Sequence, residues 1–329
     1  MKLSGHINWG MIGCGDVTER KSAPSFNKID GSSLLGVMNR TMEKAIEYAS
    51  RHSVSRVFEK AEDLIADPEI NAIYVATPPS SHAEYAIKAM QAGKPVYVEK
   101  PMAATYNECL AMNEVSRQTG VPLFVAYYRR SMDYFLKVRE LLAEKTIGQT
   151  ILCHSKLFVP PRPEDFSSDD LPWRVVPAIS GGGYFNDMGC HELDILLYLF
   201  GDVKKVSGHA CNVGRLYSPE DTIVAAIEFE SGLLYSGSWC FVNTKESASD
   251  EIEIIGSSGS IRFSCFGFTP IELCTGSGRK EYSIDPPEHV QYPMIESVIK
   301  ELMGVGMSPS HGESAAKINW LMEKILALR

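Results

Sequence analysis

Apolar positions change their spacing along the chain, and that change predicts two folding units. Over roughly the first 127 residues, short apolar runs alternate with stretches of helical period. Candidate strands cover 7–12, 34–38, 54–58, 70–76, 95–98 and 121–126; the intervening helical stretches start at Val17 and cover 41–51, 62–66, 81–92 and 105–119. Continuous apolar strands separated by helices of this length suit a parallel sheet covered on both faces. The expected fold class is α/β, a doubly wound parallel sheet with right-handed crossovers. Ser81-x-x-Glu84 reads as a capping box for the 81–92 helix, with Gly93 as its stop.

Beyond about residue 127 the pattern shifts to shorter repeats. A helix (132–144), a strand (150–159), a proline-rich loop (160–172) and a helix (187–200) precede strand-like segments near 203–213, 221–230, 233–242, 250–256, 260–264 and 270–274. Tight turns such as Glu230-Ser231-Gly232 join them, which is hairpin spacing and predicts an open, mainly antiparallel sheet. Helices near 291–303 and 312–327 follow. The expected division is 1–127 for the first domain and 128–329 for an α+β second domain whose C-terminal helix is able to pack back on the first. An exposed apolar sheet face calls for cover, so a homodimer or homotetramer through that sheet is expected.

Composition narrows the classes. A chain of 329 residues suits two cores better than one. The net charge of −9, with Lys and Arg scattered, argues against nucleic acid or an anionic membrane as partner. The start, MKLSGHINWG, is too polar for a secretory signal, and the longest strongly apolar run, 195–200, is too short to span a bilayer. Eight isolated cysteines without C-x-x-C suggest reduced thiols and a cytoplasmic setting. The histidines show no ligand pairing, and no metal is expected.

The chemistry concentrates at predicted strand ends. Gly13-x-Gly15-x-x-Thr18 follows the first strand and opens a helix. Gly13 permits a tight turn, Gly15 lets backbone approach a pyrophosphate, and Asp16, Val17 and Thr18 begin the helix whose N–H groups face it. Thr18 stands where Gly or Ala usually allows close packing, so this dinucleotide-binding Rossmann fingerprint is incomplete. Cys14 reads as structural, with alkylation of its thiol a way to block the pocket. The second strand ends in Asn39-Arg40, with no acid to hold a ribose 2′-hydroxyl. A neutral amide and a guanidinium favour the 2′-phosphate of NADP(H), with NAD(H) also possible.

Thr77-Pro78-Pro79 and Glu99-Lys100-Pro101 end two further strands, at the rim where ligands bind such sheets. His82 begins the next helix near the cofactor edge, with contact, capping and packing all open. In the second half, Gly181–Gly183 allow a turn close to a ligand. Asp187 and His191 are four apart, on one face of a helix anchored by Ile195, Leu196, Leu199 and Phe200. An imidazole suits proton transfer near neutral pH. Asp194 reads as support for it or as a surface acid. Arg129-Arg130, at the junction, suit either ligand binding or pinning the domains together.

The blocks "GMIGCG", "ATPPSSHAEYAIKAMQAGKPVYVEKPMA" and "GGGYFNDMGCHELDILLYLFG" make the chain resemble the Gfo/Idh/MocA oxidoreductases, which include glucose–fructose oxidoreductase and inositol dehydrogenase. The resemblance covers essentially the whole length. It implies an NAD(P)-dependent oxidoreductase acting on CH–OH or C=O groups of a sugar, polyol or related hydroxy or keto compound. It also implies a catalytic Lys100, a second catalytic pair in Asp187 and His191, a Trp173-Arg174 pair approaching the cofactor, and oligomer contact through the open sheet. Similar enzymes reduce biliverdin or oxidise aromatic dihydrodiols, for which Phe158, Trp173, Tyr184 and Phe185 would supply an apolar pocket. Other members bind the dinucleotide as non-catalytic regulators; the joint presence of Lys100, Asp187 and His191 speaks against that here.

Overall fold

The computed structural model describes residues 1–167 and 170–327. Ser168 and Asp169, inside the expected proline-rich loop, lie outside the described residues. The chain divides into two compact units, Met1–Met132 with Pro287–Asn319, and Asp133–Pro286 with Trp320–Arg329. The expected single boundary at 127 assigned the whole of 128–329 to the second domain. The segment 287–319 belongs instead to the first unit, because its polar groups are satisfied there. Val125 N–H donates to Ser310 O (3.0 Å), Arg130 Nη1 donates to Pro309 O and Ser314 Oγ (both 2.8 Å), and Asn319 Nδ2 donates to Ala103 O (2.8 Å). Arg130 is therefore a buried pin within the first unit.

The first unit is built on six parallel strands: β1 (Ile7–Ile12), β2 (Ser32–Met38), β3 (Arg56–Phe58), β4 (Ala72–Val75), β5 (Val96–Val98) and β6 (Leu123–Val125), in the order β3-β2-β1-β4-β5-β6. Chain order reverses between β1 and β4, the switch point where such sheets open a crevice. The helices are α1 (Asp16–Arg20), α2 (Ala23–Lys28), α3 (Met42–His52), α4 (Ala61–Ala66), α5 (His82–Gln91) and α6 (Tyr106–Thr119), with α10 (Tyr292–Leu302) from the returning segment. The single helix expected from Val17 is broken at Lys21-Ser22, and Pro24 stands in the first turn of α2, where its missing N–H costs nothing.

The expected capping box at Ser81 does not form. Ser81 Oγ donates instead to Thr77 Oγ1 (2.8 Å) and Pro78 O (3.1 Å), while Glu84 accepts from Lys88 (2.7 Å). A complete box is found at Thr105 and Glu108, opening α6. In the core, Trp9, Phe26, Tyr74 and Tyr97 form an aromatic row with successive ring centroids 4.8, 5.3 and 5.4 Å apart. Each such buried ring contributes about 1.5–3 kcal/mol relative to exposure.

The second unit holds α7 (Asp133–Ala143), β7 (Thr150–Phe158), α8 (Pro177–Ser180), α9 (Cys190–Phe200), β8 (Val203–Cys211), β9 (Thr222–Phe229), β10 (Leu234–Cys240), β11 (Ser249–Gly256), β12 (Gly259–Phe263), β13 (Ile271–Thr275) and β14 (Gly278–Tyr282). Its eight strands run β14-β13-β12-β11-β7-β10-β9-β8. β7 and β10 are parallel; the other neighbours are antiparallel. Strand β14, "GRKEY", was not expected, because it has no apolar alternation and pairs only at the sheet edge. Alternate residues such as Ile223, Ile227, Tyr235, Trp239, Ile252 and Ile254 fill the inner face. The outer face leaves Val224 47% and Leu234 54% exposed. The final helix α11 (Gly312–Ala327) contributes its first residues to the first unit and the rest to the second.

Candidate active site

The glycine loop leaves β1 at Ile12. Gly13 has φ +101°, donates its N–H to Met38 O (2.8 Å), and is wedged so that a Cβ would lie 2.7 Å from Ala76 O. Glycine alone meets both demands. Gly15 is the opposite case: nothing stands within 4 Å of where its Cβ would be, and it is exposed. Asp16 is exposed and Val17 half-buried at the start of α1. This open backbone fits a pyrophosphate.

Thr18 does not spoil the loop. It is fully buried, its N–H and hydroxyl both donate to Gly15 O (2.9 and 2.7 Å), and its own carbonyl accepts from Tyr48 OH (2.9 Å). Cys14 is held neutral: burial, then the charge of Glu19, pushes its thiol up to about 12. This disfavours the thiolate, the form that alkylation needs, near neutral pH. At the end of β2, Asn39 Oδ1 accepts from Thr41 N–H (2.9 Å), and Arg40 is exposed.

The ends of β4 and β5 are tied together from beneath. His82, fully buried, places Nε2 2.7 Å from Thr77 O and Nδ1 3.0 Å from Pro101 O. Burial lowers its pKa, against the pull of these carbonyls and of Glu99. A side chain with no exposed surface positions the two loops, which is the packing role among those left open for His82. Thr77 is half-buried and Pro78 exposed above it. Glu99 likewise turns inward. It is 5% exposed, and its Oε1 accepts from Tyr74 OH (2.6 Å) and Gln291 Nε2 (2.7 Å). Lys100, half-buried, follows it, and the Lys100–Pro101 peptide bond is cis.

In the second unit, α8 ends at Gly181, φ +79°, and a π-helical turn over Phe185–Gly189 runs into α9. The expected helix at 187 thus starts two residues earlier and in a wider form, a feature common at functional sites. Asp187 lies in the π turn and His191 in α9. Arg174 Nε donates to Asp187 Oδ2 (3.1 Å), and its guanidinium lies 4.7 Å from the Trp173 ring centroid. Arg174, expected at the cofactor, is thus engaged with the candidate catalytic carboxylate. His191 is buried, with Phe266 edge-on to its ring at 5.7 Å. Asp194 is buried, so its reading as a surface acid is wrong.

Sequence reading missed Phe266 and the device that holds it. Asp250 accepts from the N–H groups of Cys265 (2.8 Å), Phe266 and Gly267 (both 2.7 Å), fixing the loop that carries the ring. In sequence, "SCFGFT" is an ordinary turn and Asp250 an ordinary strand residue. Of the aromatics expected to line an apolar pocket, Tyr184 and Phe185 are buried, Tyr184 OH donating to Asp165 Oδ1 (2.6 Å). Among the described residues no cluster of three His, Cys, Asp or Glu side chains has metal-holding geometry, and no helix is long and apolar enough to cross a membrane.

Residues 7–127 match the family described as "Oxidoreductase family, NAD-binding Rossmann fold", and residues 135–262 match the "GFO/IDH/MocA C-terminal domain". The chain belongs to the Gfo/Idh/MocA oxidoreductase family. Among similar Gfo/Idh/MocA proteins, Oxidoreductase P35 of Formosa agariphila is 38% identical over 321 residues, 98% of each chain. The 1,5-anhydro-D-fructose reductase of Ensifer adhaerens is 27% identical over 258 residues, 77% of this chain and 74% of that one. The solved structure of levoglucosan dehydrogenase with NADH and levoglucosan shares the fold, with a TM-score of 0.87 over 98% of this chain and 96% of that one at 21% identity. This Gfo/Idh/MocA chain is an oxidoreductase whose first unit is an NAD(P)-binding Rossmann fold.

Proposed function

We propose that this oxidoreductase transfers a hydride between NADP(H) and a hydroxyl or carbonyl carbon of a sugar, polyol or related compound. The observation that carries the reading is the gathering of the open Gly15 backbone, Arg40 and Lys100 at the carboxyl ends of one parallel sheet, where such folds bind dinucleotides. The substrate class is supported by the similar reductase named for 1,5-anhydro-D-fructose and the similar structure holding levoglucosan.

When bound, the nicotinamide supplies or accepts the hydride. The Lys100 ammonium hydrogen-bonds the substrate oxygen and stabilises the negative charge that develops on it. The His191 imidazole donates or removes the hydroxyl proton. Asp187, paired with Arg174, orients a neighbouring substrate hydroxyl or the imidazole. Trp173 and Arg174 form a stacked pair beside that carboxylate. Screening sugars, inositols, keto-sugars and aromatic diols in both directions with both cofactors tests the class. Turnover confined to the aromatic diols would overturn it.

The preference for NADP(H) follows from β2. No acid stands at its end to repel a 2′-phosphate, and Arg40 offers an exposed guanidinium. In fluorescence titrations NADPH should bind about tenfold tighter than NADH, and Arg40→Ser should abolish the difference, as loss of one charge-assisted contact implies. NADH binding at least as tightly to the parent protein would refute the preference.

The exposed apolar side chains of the outer sheet face, beside a shallow groove lined by His154, Lys156, Ser207, His209, Ala226 and Ser236, suit a second copy of the chain. Light scattering at micromolar concentration should give a dimer or tetramer; a monomeric mass would count against this assembly.

A further inference from the structure

We infer that Gln291 is a positioning residue for the nicotinamide end of the cofactor site: it fixes the Glu99 carboxylate, and through it the turn that carries Lys100. The inference rests on the reading that Glu99-Lys100-Pro101 lies at the cofactor. Gln291 is fully buried and immediately precedes α10, in the segment that returns to the first unit. Its backbone N–H donates to Lys21 O (3.0 Å), at the end of α1. Its Nε2 donates to Glu99 Oε1 (2.7 Å), and its Oε1 accepts from Tyr97 OH (2.9 Å). Tyr74 OH donates to the same Glu99 oxygen (2.6 Å) and stands 2.8 Å from Ser22 Oγ.

A buried polar chain therefore runs Ser22–Tyr74–Glu99–Gln291–Tyr97, from the break between α1 and α2 to the turn before Lys100. The amide has one orientation available. Its NH₂ group must face the carboxylate and its oxygen the phenol, because the flipped amide would set two acceptors against each other. A buried carboxylate deprived of a donor is costly and moves to find another. Here such a move drags the adjacent backbone, since Lys100 N–H lies 3.3 Å from Glu99 Oε2. No surface role accounts for a glutamine with no exposed area.

Glutamate at this position supplies a test that side-chain volume cannot mimic. Two carboxylates at this separation repel unless they share a proton, so Gln291→Glu restores the bond at the lower pH and loses it once that proton is removed. The other titratable groups facing Glu99 are Tyr74 on β4, Tyr97 on β5, His82 on α5 and Lys100. Burial raises both phenols far above neutral and lowers His82, and all four are present in parent and variant alike.

The experiment measures NADPH affinity by fluorescence at about pH 6 and about pH 8 for the parent protein, Gln291→Glu and Gln291→Met, with thermal denaturation confirming folded samples and amide exchange followed at Glu99 and Lys100. Gln291→Glu should bind within about twofold of the parent at the lower pH and about tenfold more weakly at the higher, while Gln291→Met binds more weakly at both. A pH-independent affinity ratio for Gln291→Glu, or parent-like binding by Gln291→Met, overturns the inference while leaving the proposed function standing. If the parent protein gains no amide protection at Glu99 and Lys100 on binding NADPH, the placement of that turn at the cofactor fails, and the inference with it.

Discussion

Lys100→Ala is expected to lower kcat by about a hundredfold or more while dinucleotide affinity stays within a few fold of the parent's. A donor aimed at charge that develops only in the transition state acts on kcat, and losing one such donor typically costs on the order of 10²–10³. Lys100 sits on a turn whose flanks are fixed independently of its own side chain, by Glu99 in its buried network and by His82 against Pro101 O. Truncating the ammonium should therefore leave the fold and the glycine loop in place. Lys100→Arg should recover only part of the rate, because a planar fork does not reproduce a point charge. His191→Asn should also depress kcat, and should flatten the pH profile, since it removes the group proposed to carry the proton. Steady-state kinetics on a substrate found in the screen, with cofactor titration alongside, decides the matter. Near-parent kcat in Lys100→Ala with intact cofactor binding would end the assignment.

The second large effect separates the two glycines of the loop. Gly13→Ala should destabilise the protein by about 2 kcal/mol or more, because alanine must adopt a positive φ and also displace neighbouring backbone. The collision involves Ala76 O, Ala76 C and Thr77 N, all within 2.9 Å of the added carbon. None of these is a flexible side-chain end, so the strain has no easy outlet. Gly15→Ala should leave the melting temperature nearly unchanged, since its Cβ would meet nothing within 4 Å. It should still weaken dinucleotide binding by about tenfold or more, because the methyl occupies the approach of the pyrophosphate. Thermal denaturation and titration of both variants provide the check. Gly13→Ala melting with the parent, or Gly15→Ala binding like the parent, would contradict this account of the loop.

The parallel sheet was legible in the sequence because its strands are buried on both faces. Ala72–Val75 and Val96–Val98 therefore appear as unbroken apolar runs, and Ile7–Ile12 as one interrupted only by Asn8 and Gly10. The glycine loop and the E-K-P turn were legible because they lie at the ends of those runs. Features that depend on distant partners left no local trace. Ser81-Glu84 and Thr105-Glu108 have the same pattern, yet only the second forms a capping box, since Ser81 finds Thr77 and Pro78 first. Glu99 and His82 read as rim residues and are buried, because their acceptors and donors come from other strands and loops. The Arg174–Asp187 pair and the return of 287–319 are likewise contacts across sequence that no window of residues contains. Strand β14 escaped because an edge strand needs no apolar alternation to be held on one side.

That edge has a further consequence. Arg279, Lys280 and Glu281 line one border of the eight-stranded sheet, and Lys204 and Lys205 line the other on β8. A second chain adding its backbone at either border would meet fixed charge rather than a clean ribbon of amides and carbonyls. Pairing of a second chain along either border is thereby discouraged.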